Sequence, residues 1–269
     1  MAQGPRGDGL GEGLHKGLVM RCAWPVGFAQ GARILEPLAL SRPADDKDRR
    51  HVRHACGYGC VRCGATIYQY RTVSGSADVD DIVLLCPPCA HALAGRPGAE
   101  QALRIMRQRP VARQSQFDRR KLPYALEMPD LVVVPGVTMR KTPMPILFGG
   151  VPVLRLDAPE VPGGAVEIGI TLAMAGEAPR PVVVANEWLP QGGEGDWTFE
   201  RPGNRYVITS RDRSAQLILA AVTPGLLALE LLRTFDGCRM LESGHNGTRI
   251  DGVACPTPAV KSQIVGMAV

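Results

Sequence analysis

The chain has 269 residues, of which 45% are hydrophobic and 21% are charged, and it contains 31 glycines and 23 prolines. This composition excludes a disordered chain and predicts a globular protein of one large domain or two ordinary ones, with many turns and few helices. No membrane span is expected, because the most apolar region, residues 215–232, is interrupted by Pro224 and Gly225 and carries Gln216 and Glu230.

The positive charge is concentrated in the N-terminal half of the chain. Residues 1–128 contain 19 Lys and Arg against 12 Asp and Glu, a net charge of +7, whereas residues 129–269 contain 12 against 14, a net charge of −2. Such an uneven charge favours a polyanionic partner such as DNA or RNA. Eight cysteines without a secretory signal in residues 1–17 indicate a reducing compartment, so a cytoplasmic location is expected.

The N-terminal region predicts little regular structure before the first helix. Residues 1–17 are glycine-rich and predict a mobile tail, and residues 18–42 predict an extended lead-in. A helix is expected next, capped by Ser41 with Pro43 in its first turn, and it is expected to end at about Ala55. Three acidic residues would lie near the positive end of its dipole: Asp45, Asp46 and Asp48.

Two cysteine pairs follow this helix. Cys60 and Cys63 enclose two residues, Cys86 and Cys89 do the same, and 22 residues separate the pairs. This spacing lets both sulfurs of a pair bind one ion at about 2.3 Å, so the four thiolates predict a closed, structural Zn2+ site. The alternative is that they are ordinary buried thiols or a redox pair. Cys56 is expected to be a buried thiol, with ligation as the alternative.

The residues around these cysteines resemble the HNH endonuclease family. They are Cys-Gly-Tyr-Gly-Cys at 56–60, Ile-Tyr-Gln-Tyr at 67–70 and Leu-Leu-Cys at 84–86. The matching variant of the family has a Cys-Gly-aromatic-Gly-Cys opening, an Ile/Leu-Tyr-Glu-Tyr strand and a Leu-Leu-Cys closing knuckle. The resemblance covers residues 43–97. It implies a small ββα module, pinned by zinc knuckles, that holds a catalytic metal against a phosphate backbone.

The same resemblance implies that the catalytic positions have changed. The general-base histidine of the family falls on Thr72, the central asparagine on Asp81 and the last histidine on Ala90, with His91 displaced by one residue. Threonine has no pKa near neutrality and cannot deprotonate water. Arg71 stands where the family has an acid, and its positive charge opposes a divalent ion. A catalytically degenerate module is therefore expected, with no catalytic residue.

An active metal-dependent DNA endonuclease with rearranged ligands is the alternative. His51, His54 and His91 lie near the knuckles in sequence, and an acidic cluster, Asp78, Asp80 and Asp81, lies between them. Histidines and carboxylates of this kind bind catalytic metals.

A basic segment follows the knuckles. A helix is predicted from Pro97–Gly98 to about Arg109, with Leu103 on its apolar side. Eight cations accompany Glu100 and Asp118 here: Arg96, Arg104, Arg107, Arg109, Arg113, Arg119, Arg120 and Lys121. Residues 98–128 are either a nucleic-acid surface or a solvated linker. The residues predicted to contact nucleic acid are Arg49, Arg50, Arg53, Arg96, Arg104 and Arg107.

Residues 129–269 predict a β-rich domain. Nine short apolar runs alternate with Gly and Pro, at 131–134, 146–148, 151–156, 165–174, 182–185, 205–209, 215–222, 226–232 and 248–253. They predict an antiparallel sandwich or barrel, with a β-solenoid as the further possibility. The segment from Asn186 to Ile208 is faintly similar to the β-domain that follows HNH modules in some bacterial proteins. Glu187 and Asp196 are expected to be exposed acids beside structural tryptophans.

The sequence therefore predicts an α+β chain in which an HNH-like zinc module, residues 43–97, precedes a mainly antiparallel β domain. The expected function is binding of nucleic acid or of a protein partner without catalysis. A structural or assembly protein that self-associates through the β domain is a third possibility.

Overall fold

The computed structural model describes residues 42–114, 129–162, 164–189, 195–223, 225–255 and 265–268. The predicted tail, nearly all of the lead-in and the cations at 119–121 lie outside the described residues. The described residues belong to one compact unit, Arg33–Val269. Within the described ranges, no helix is both long and apolar enough to cross a membrane.

The first helix, α1 (Asp46–Ala55), begins later than predicted. Its N-cap is Asp45, whose carboxylate accepts a hydrogen bond from the Lys47 N–H at 2.8 Å. The predicted cap, Ser41, lies outside the described residues, and Pro43 precedes the helix instead of occupying its first turn. The shift has a local cause, because Asp45 satisfies a free N–H of the first turn and Asp46 and Asp48 still complement the dipole.

A short antiparallel hairpin and three helices follow α1. Strand β1 (Gln69–Thr72) pairs with β2 (Ile82–Leu85), and a 3-10 helix (Val79–Asp81) precedes β2. The helices are α2 (Pro87–Leu93), α3 (Ala99–Gln108) and α4 (Val111–Gln114). Helix α3 begins where Pro97 and Gly98 predict, and it buries Leu103.

The remaining strands form two larger sheets. In chain order they are β3 (Leu131–Val134), β4 (Val137–Arg140), β5 (Met144–Phe148), β6 (Val151–Asp157), β7 (Glu167–Leu172), β8 (Arg180–Val184), β9 (Glu187–Trp188), β10 (Trp197–Glu200), β11 (Arg205–Ser210), β12 (Gln216–Thr223), β13 (Leu226–Asp236), β14 (Arg239–Gly244), β15 (Gly247–Ile250), β16 (Val253–Ala254) and β17 (Val265–Ala268). One sheet has the order β17-β5-β6-β7-β8-β9. The other runs from β10 to β16 in sequence order, with β3 beside β13 and β4 beside β3. Among the paired strands of the described residues, β13–β3 and β17–β5 are parallel and the others are antiparallel, so the predicted mainly antiparallel, β-rich character of this region is confirmed.

Both larger sheets contribute to one hydrophobic core. Ile168 and Ile170 of β7 and Ile208 and Leu217 of the other sheet are fully buried in it. Apolar residues alternate with small or polar ones in the sequence of this region, the pattern of a strand with one buried face, and buried and partly exposed residues alternate along β7. Two open sheets that share one core have the arrangement of a β-sandwich.

A second hydrophobic core is formed by the hairpin, the cysteine pairs and the helices around them. It contains Val52 of α1, Tyr70 of β1, Leu84 of β2 and Leu103 of α3. The three elements β1, β2 and α2 are too short to bury an apolar interior by themselves, so α1 and α3 complete this core. The cysteine pairs lie within it.

Candidate metal centre

The first cysteine pair lies in a tight turn between α1 and β1. The Cys60 N–H donates to the Ala65 carbonyl at 2.9 Å, and the Gly64 N–H donates to the Cys60 carbonyl at 2.8 Å. Gly64 has a φ of 75°, a left-handed conformation that glycine adopts without steric cost. The Val61 N–H donates to the Leu84 carbonyl at 2.9 Å. This bond fixes the turn against β2, the strand that leads to the second pair.

The second cysteine pair spans the start of α2. Cys86 is the N-cap, and Pro87 and Pro88 follow it. Proline is well suited to this place, because the first N–H groups of a helix have no acceptor within it. The Ala90 N–H donates to the Cys86 carbonyl at 2.9 Å and closes the turn that contains Cys89.

The four sulfurs of Cys60, Cys63, Cys86 and Cys89 meet in one cluster. All lie within 4.8 Å of one another, and the Sγ atoms of Cys63 and Cys86 are 3.6 Å apart. A tetrahedral site with metal–sulfur bonds of about 2.3 Å has sulfur–sulfur edges of about 3.8 Å. In the described part of the chain, no other group of three or more His, Cys, Asp or Glu side chains converges in this way. The cluster is of the right size to hold one metal ion.

The protonation of these sulfurs is mutually dependent. Burial raises the pKa of the Cys60 thiol, and hydrogen bonds with Cys60 lower the pKa of the Cys63 and Cys89 thiols. Hydrogen bonds with Cys60 and the other two sulfurs raise the pKa of Cys86. Four crowded sulfurs cannot all be thiolates without a compensating positive charge. A divalent ion supplies that charge and favours the fully deprotonated set.

Cys56 is a buried thiol, as the sequence predicts. It is fully buried in the same core, and burial raises its pKa to about 11. It is therefore a neutral thiol near pH 7. It is not part of the sulfur cluster.

At the three positions where the resemblance would place catalytic residues, the side chains are buried or hold the backbone. Thr72 is buried in β1 opposite Ile82, and Ala90 is buried in α2. The Asp81 carboxylate accepts hydrogen bonds from the Ser74 N–H at 2.8 Å, the Ser74 hydroxyl at 3.0 Å and the Ser76 N–H at 3.2 Å. Asp81 therefore closes the loop between β1 and β2.

The histidines and aspartates considered for an alternative catalytic metal site do not form a group of three or more in the described part of the chain. Two of them, His51 and Asp80, form a pair. The Nε2 atom of His51 lies 3.5 Å from the Asp80 carboxylate. Asp78 caps the 3-10 helix by accepting from the Asp80 N–H at 3.0 Å. His91 is exposed on α2, next to the buried Ala90.

The six arginines predicted to contact nucleic acid differ in their availability. Arg53 donates to both oxygens of Glu160 at 2.7 and 2.8 Å, and Arg49 donates to the Pro43 and Ala44 carbonyls. Arg50 is 62% exposed and pairs with Asp46 at 3.1 Å. Arg96 is exposed on the loop before α3. Arg104 and Arg107 both line one surface depression beside α3.

The sequence did not reveal the contacts that tie the metal centre to the β-sandwich. The Thr66 and Tyr206 hydroxyls lie 2.8 Å apart, and both side chains are buried. The Tyr68 N–H donates to the Asn186 carbonyl at 2.9 Å, and the Trp188 N–H donates to the Tyr68 carbonyl at 2.6 Å. Tyr68 therefore pairs in parallel with the edge strand β9. The partners are more than 100 residues apart in sequence, so no local pattern predicts them.

Glu187 lies in β9, opposite Tyr68, and the prediction that it is exposed is wrong. Its side chain is buried in β9 and pairs with the Arg42 guanidinium at 2.6 Å. In the sequence, Gly192, Gly193 and Gly195 follow Glu187 and favour a loop tip, but the pairing of β9 with β8 and with Tyr68 buries Glu187. Burial raises the pKa of Glu187 despite the opposing effect of Arg42.

This raised pKa predicts a pH effect on stability. A carboxyl group with a higher pKa in the folded state binds more protons there than in the unfolded state, so its contribution to stability falls as pH rises between the two values. We expect the stability of the wild type, relative to a Glu187→Gln variant, to decrease as pH rises above about 4.5. Urea unfolding of both proteins at several pH values measures this difference. A difference that increases with pH contradicts the expectation.

The sequence and the structure were compared with known proteins, and no relative was found. No family model, no curated protein and no solved structure matches the chain.

Proposed function

We propose that the chain is a zinc-stabilised, HNH-like protein that binds nucleic acid without hydrolysing it. The observation that carries the proposal is the contrast between two neighbouring sets of residues. The four cysteines converge on one point. Thr72 and Ala90 are buried within β1 and α2, and the Asp81 carboxylate holds a loop.

The metal is proposed to be zinc because of its ligands. Four cysteine sulfurs are soft donors that suit a tetrahedral Zn2+ ion, and they fill all of its coordination positions. The ion would hold the turn at Cys60 and Cys63 against the start of α2. It would leave no open position for water or substrate, so its role would be structural.

The order of elements around the cysteines supports the resemblance to HNH modules. Strands β1 and β2 form an antiparallel hairpin, and α2 follows β2 directly. That is the ββα order that the resemblance implies. The general base of such a module must reach a water molecule, which the buried Thr72 hydroxyl cannot activate near neutral pH.

The charge of the same region supports a polyanionic partner. Residues 42–114 contain 12 Lys and Arg against seven Asp and Glu, a net charge of +5. Arg50, Arg96 and Arg104 are exposed in this region. Exposed arginines bind phosphate oxygens through planar, bidentate hydrogen bonds.

Three measurements on the purified full chain test the proposal. Mass spectrometry under native conditions is expected to show one zinc ion per chain. Fluorescence anisotropy with labelled DNA and RNA is expected to show binding that weakens steeply as salt rises. Incubation with plasmid and Mg2+, Mn2+ or Ni2+ is expected to leave the plasmid intact. Cleavage that Asp81→Ala or His91→Ala abolishes would contradict the proposal and support the rearranged nuclease.

A further inference from the structure

Three guanidinium groups line one open depression of about 390 Å³ beside α1 and α3. We call it the arginine cleft, and its lining residues are Ala55, Asp80, Arg104, Arg107, Gln108 and Arg113. They carry three positive charges and one negative charge, a net charge of +2. The cleft therefore attracts an anion. Arg113 belongs to α4 and was one of the eight cations of the predicted basic segment, but it was not among the six arginines named as nucleic-acid contacts.

The Arg107 guanidinium is held in place by backbone carbonyls. Its Nε donates to the Ile82 carbonyl at 3.2 Å, and its Nη2 donates to the Val79 carbonyl at 3.2 Å. The same Nη2 lies 3.0 Å from the Asp80 carboxylate. The start of β2 and the 3-10 helix thus fix the orientation of this group.

The Arg113 guanidinium is also held by a neutral acceptor. Its Nη2 donates to the His54 carbonyl at the end of α1. Helix α4 is anchored by the Val111 N–H, which donates to the Val61 carbonyl at 3.0 Å. Helix α4 packs closely on the loop before Cys60. A Cβ atom added at Gly57 would lie 2.8 Å from the backbone nitrogen of Arg113. A carbonyl orients a guanidinium without neutralising its charge, so Arg113 keeps its full attraction for an anion.

The third guanidinium, that of Arg104, is open to solvent. Its side chain is 55% exposed, and its Nη2 is 4.0 Å from the nearest Asp81 oxygen. Among the described residues that line the cleft, Asp80 is the one with a carboxylate. Arg107 and His51 lower the pKa of Asp80, so this carboxylate is ionised and opposes an incoming anion. Because its side chain is 70% exposed, it can turn away into water.

We propose that the arginine cleft binds phosphate groups in the backbone of a nucleic acid. This inference rests on the proposed function and deepens it by placing the contact. Two guanidinium groups are already oriented and a third, that of Arg104, is more than half exposed to solvent, which suits the planar forks that arginine presents to phosphate oxygens. The cleft falls within the range of about 300–1,000 Å³ typical of ligand sites, more room than a single phosphate group requires. The six lining residues in the described part of the chain offer charged and amide groups to a phosphate backbone and no aromatic ring for base stacking, so we expect their contacts to be independent of sequence.

Anisotropy titrations of the full chain with labelled DNA and RNA at several salt concentrations test the site. We expect an Arg104→Gln/Arg113→Gln double variant to bind roughly tenfold or more weakly, to the same extent for different sequences, with a salt slope reduced by about 2. Asp80→Asn keeps an acceptor for Arg107 and removes the negative charge, and we expect it to bind roughly twofold to fivefold more tightly. Arg205→Gln is the matched control, since Arg205 is 47% exposed and lies on β11, outside the cleft. It should bind like the wild type.

The outcomes separate this inference from the proposed function. If the wild type binds and both the double variant and Asp80→Asn bind equally well, the cleft is excluded while the function stands. If the wild type binds no nucleic acid, both fail. If the double variant loses its metal or its circular dichroism signal, the nucleic-acid affinities of Arg104→Gln alone and of Asp80→Asn test the cleft. Neither of these substitutions removes a hydrogen bond to the backbone.

Competition identifies the ligand. Inorganic phosphate that displaces the nucleic acid more strongly than chloride at equal ionic strength indicates recognition of a single phosphate group. Displacement by the polymer alone indicates an extended backbone, and both results support the cleft. Poly-glutamate that displaces the nucleic acid as well as unlabelled DNA does would instead indicate an acidic protein partner and overturn the inference.

Discussion

Replacing Cys86 with serine is expected to abolish stoichiometric metal binding and to lower the free energy of unfolding by at least about 5 kcal/mol. Structural zinc contributes about 10–16 kcal/mol of apparent binding free energy in small zinc-finger peptides, and that free energy is coupled to folding. In a chain of this size, 5 kcal/mol corresponds to a fall in Tm of roughly 10–20 °C. Cys86 lies where β2 meets α2, so its loss removes a ligand through which the ion would hold the start of α2 against the turn at Cys60 and Cys63.

Cys56→Ser is the matched control for this experiment. Cys56 is as buried as Cys86 and belongs to the same core, but it lies outside the sulfur cluster. We expect this variant to keep one metal ion and to lose about 1–3 kcal/mol, the cost of burying a hydroxyl group without a good partner. Metal content and thermal unfolding of both variants make the comparison. Equal metal content in Cys86→Ser and the wild type would contradict the assignment of the cluster.

Replacing Asn186 with alanine is expected to lower the free energy of unfolding by about 3–5 kcal/mol. The buried Asn186 side chain accepts from the Ile168 N–H and donates to the Val166 carbonyl, both at 2.9 Å. Each buried backbone group left without a partner costs about 1–3 kcal/mol. Asn186 also has a φ of 68°, a left-handed conformation that asparagine tolerates better than alanine.

Asn204→Ala provides the comparison for Asn186. The Asn204 amide donates to the Ala221 carbonyl at 2.8 Å, but this bond is only partly buried. We expect a loss of about 1 kcal/mol from this variant. Urea unfolding monitored by tryptophan fluorescence reports on both, because Trp188 lies two residues beyond Asn186 in β9. Equal losses from the two variants would show that the buried bonds of Asn186 carry no special weight.

Local patterns in the sequence predicted the convergence of the four cysteines. The spacing of Cys60 and Cys63 and of Cys86 and Cys89 is a property of two tight turns, so it can be recognised without knowing the rest of the fold. The period-two alternation around Ile168 and Ile170 is local in the same way, and strands occupy all nine predicted runs. The first residue of a helix also depends on local hydrogen bonding. Ser41 and Asp45 can both cap α1, and the sequence alone does not show which of the two does so.

Contacts between distant residues explain what the sequence did not predict. Strand β14 was missed because its residues, Arg-Met-Leu-Glu-Ser-Gly, are largely polar, and pairing with β13 makes it a strand. The burial of Glu187 was missed because it depends on contacts with distant residues, such as its partner Arg42, which is 145 residues away. The arginine cleft forms only when α1, α3, α4 and the 3-10 helix come together, so the basic segment in the sequence did not show which of its cations would converge.

The pairing of Tyr68 with β9 has a consequence for synthesis on the ribosome. Tyr68 needs Asn186 and Trp188 as hydrogen-bonding partners, and about 120 residues must be translated between them. At about 5–20 residues per second, this takes roughly 6–24 s. The cysteine-containing segment therefore emerges with one unpaired strand edge and keeps it throughout that interval. Binding of a metal ion by the nascent chain would give this segment a fixed structure before β9 is synthesised and pairs with Tyr68.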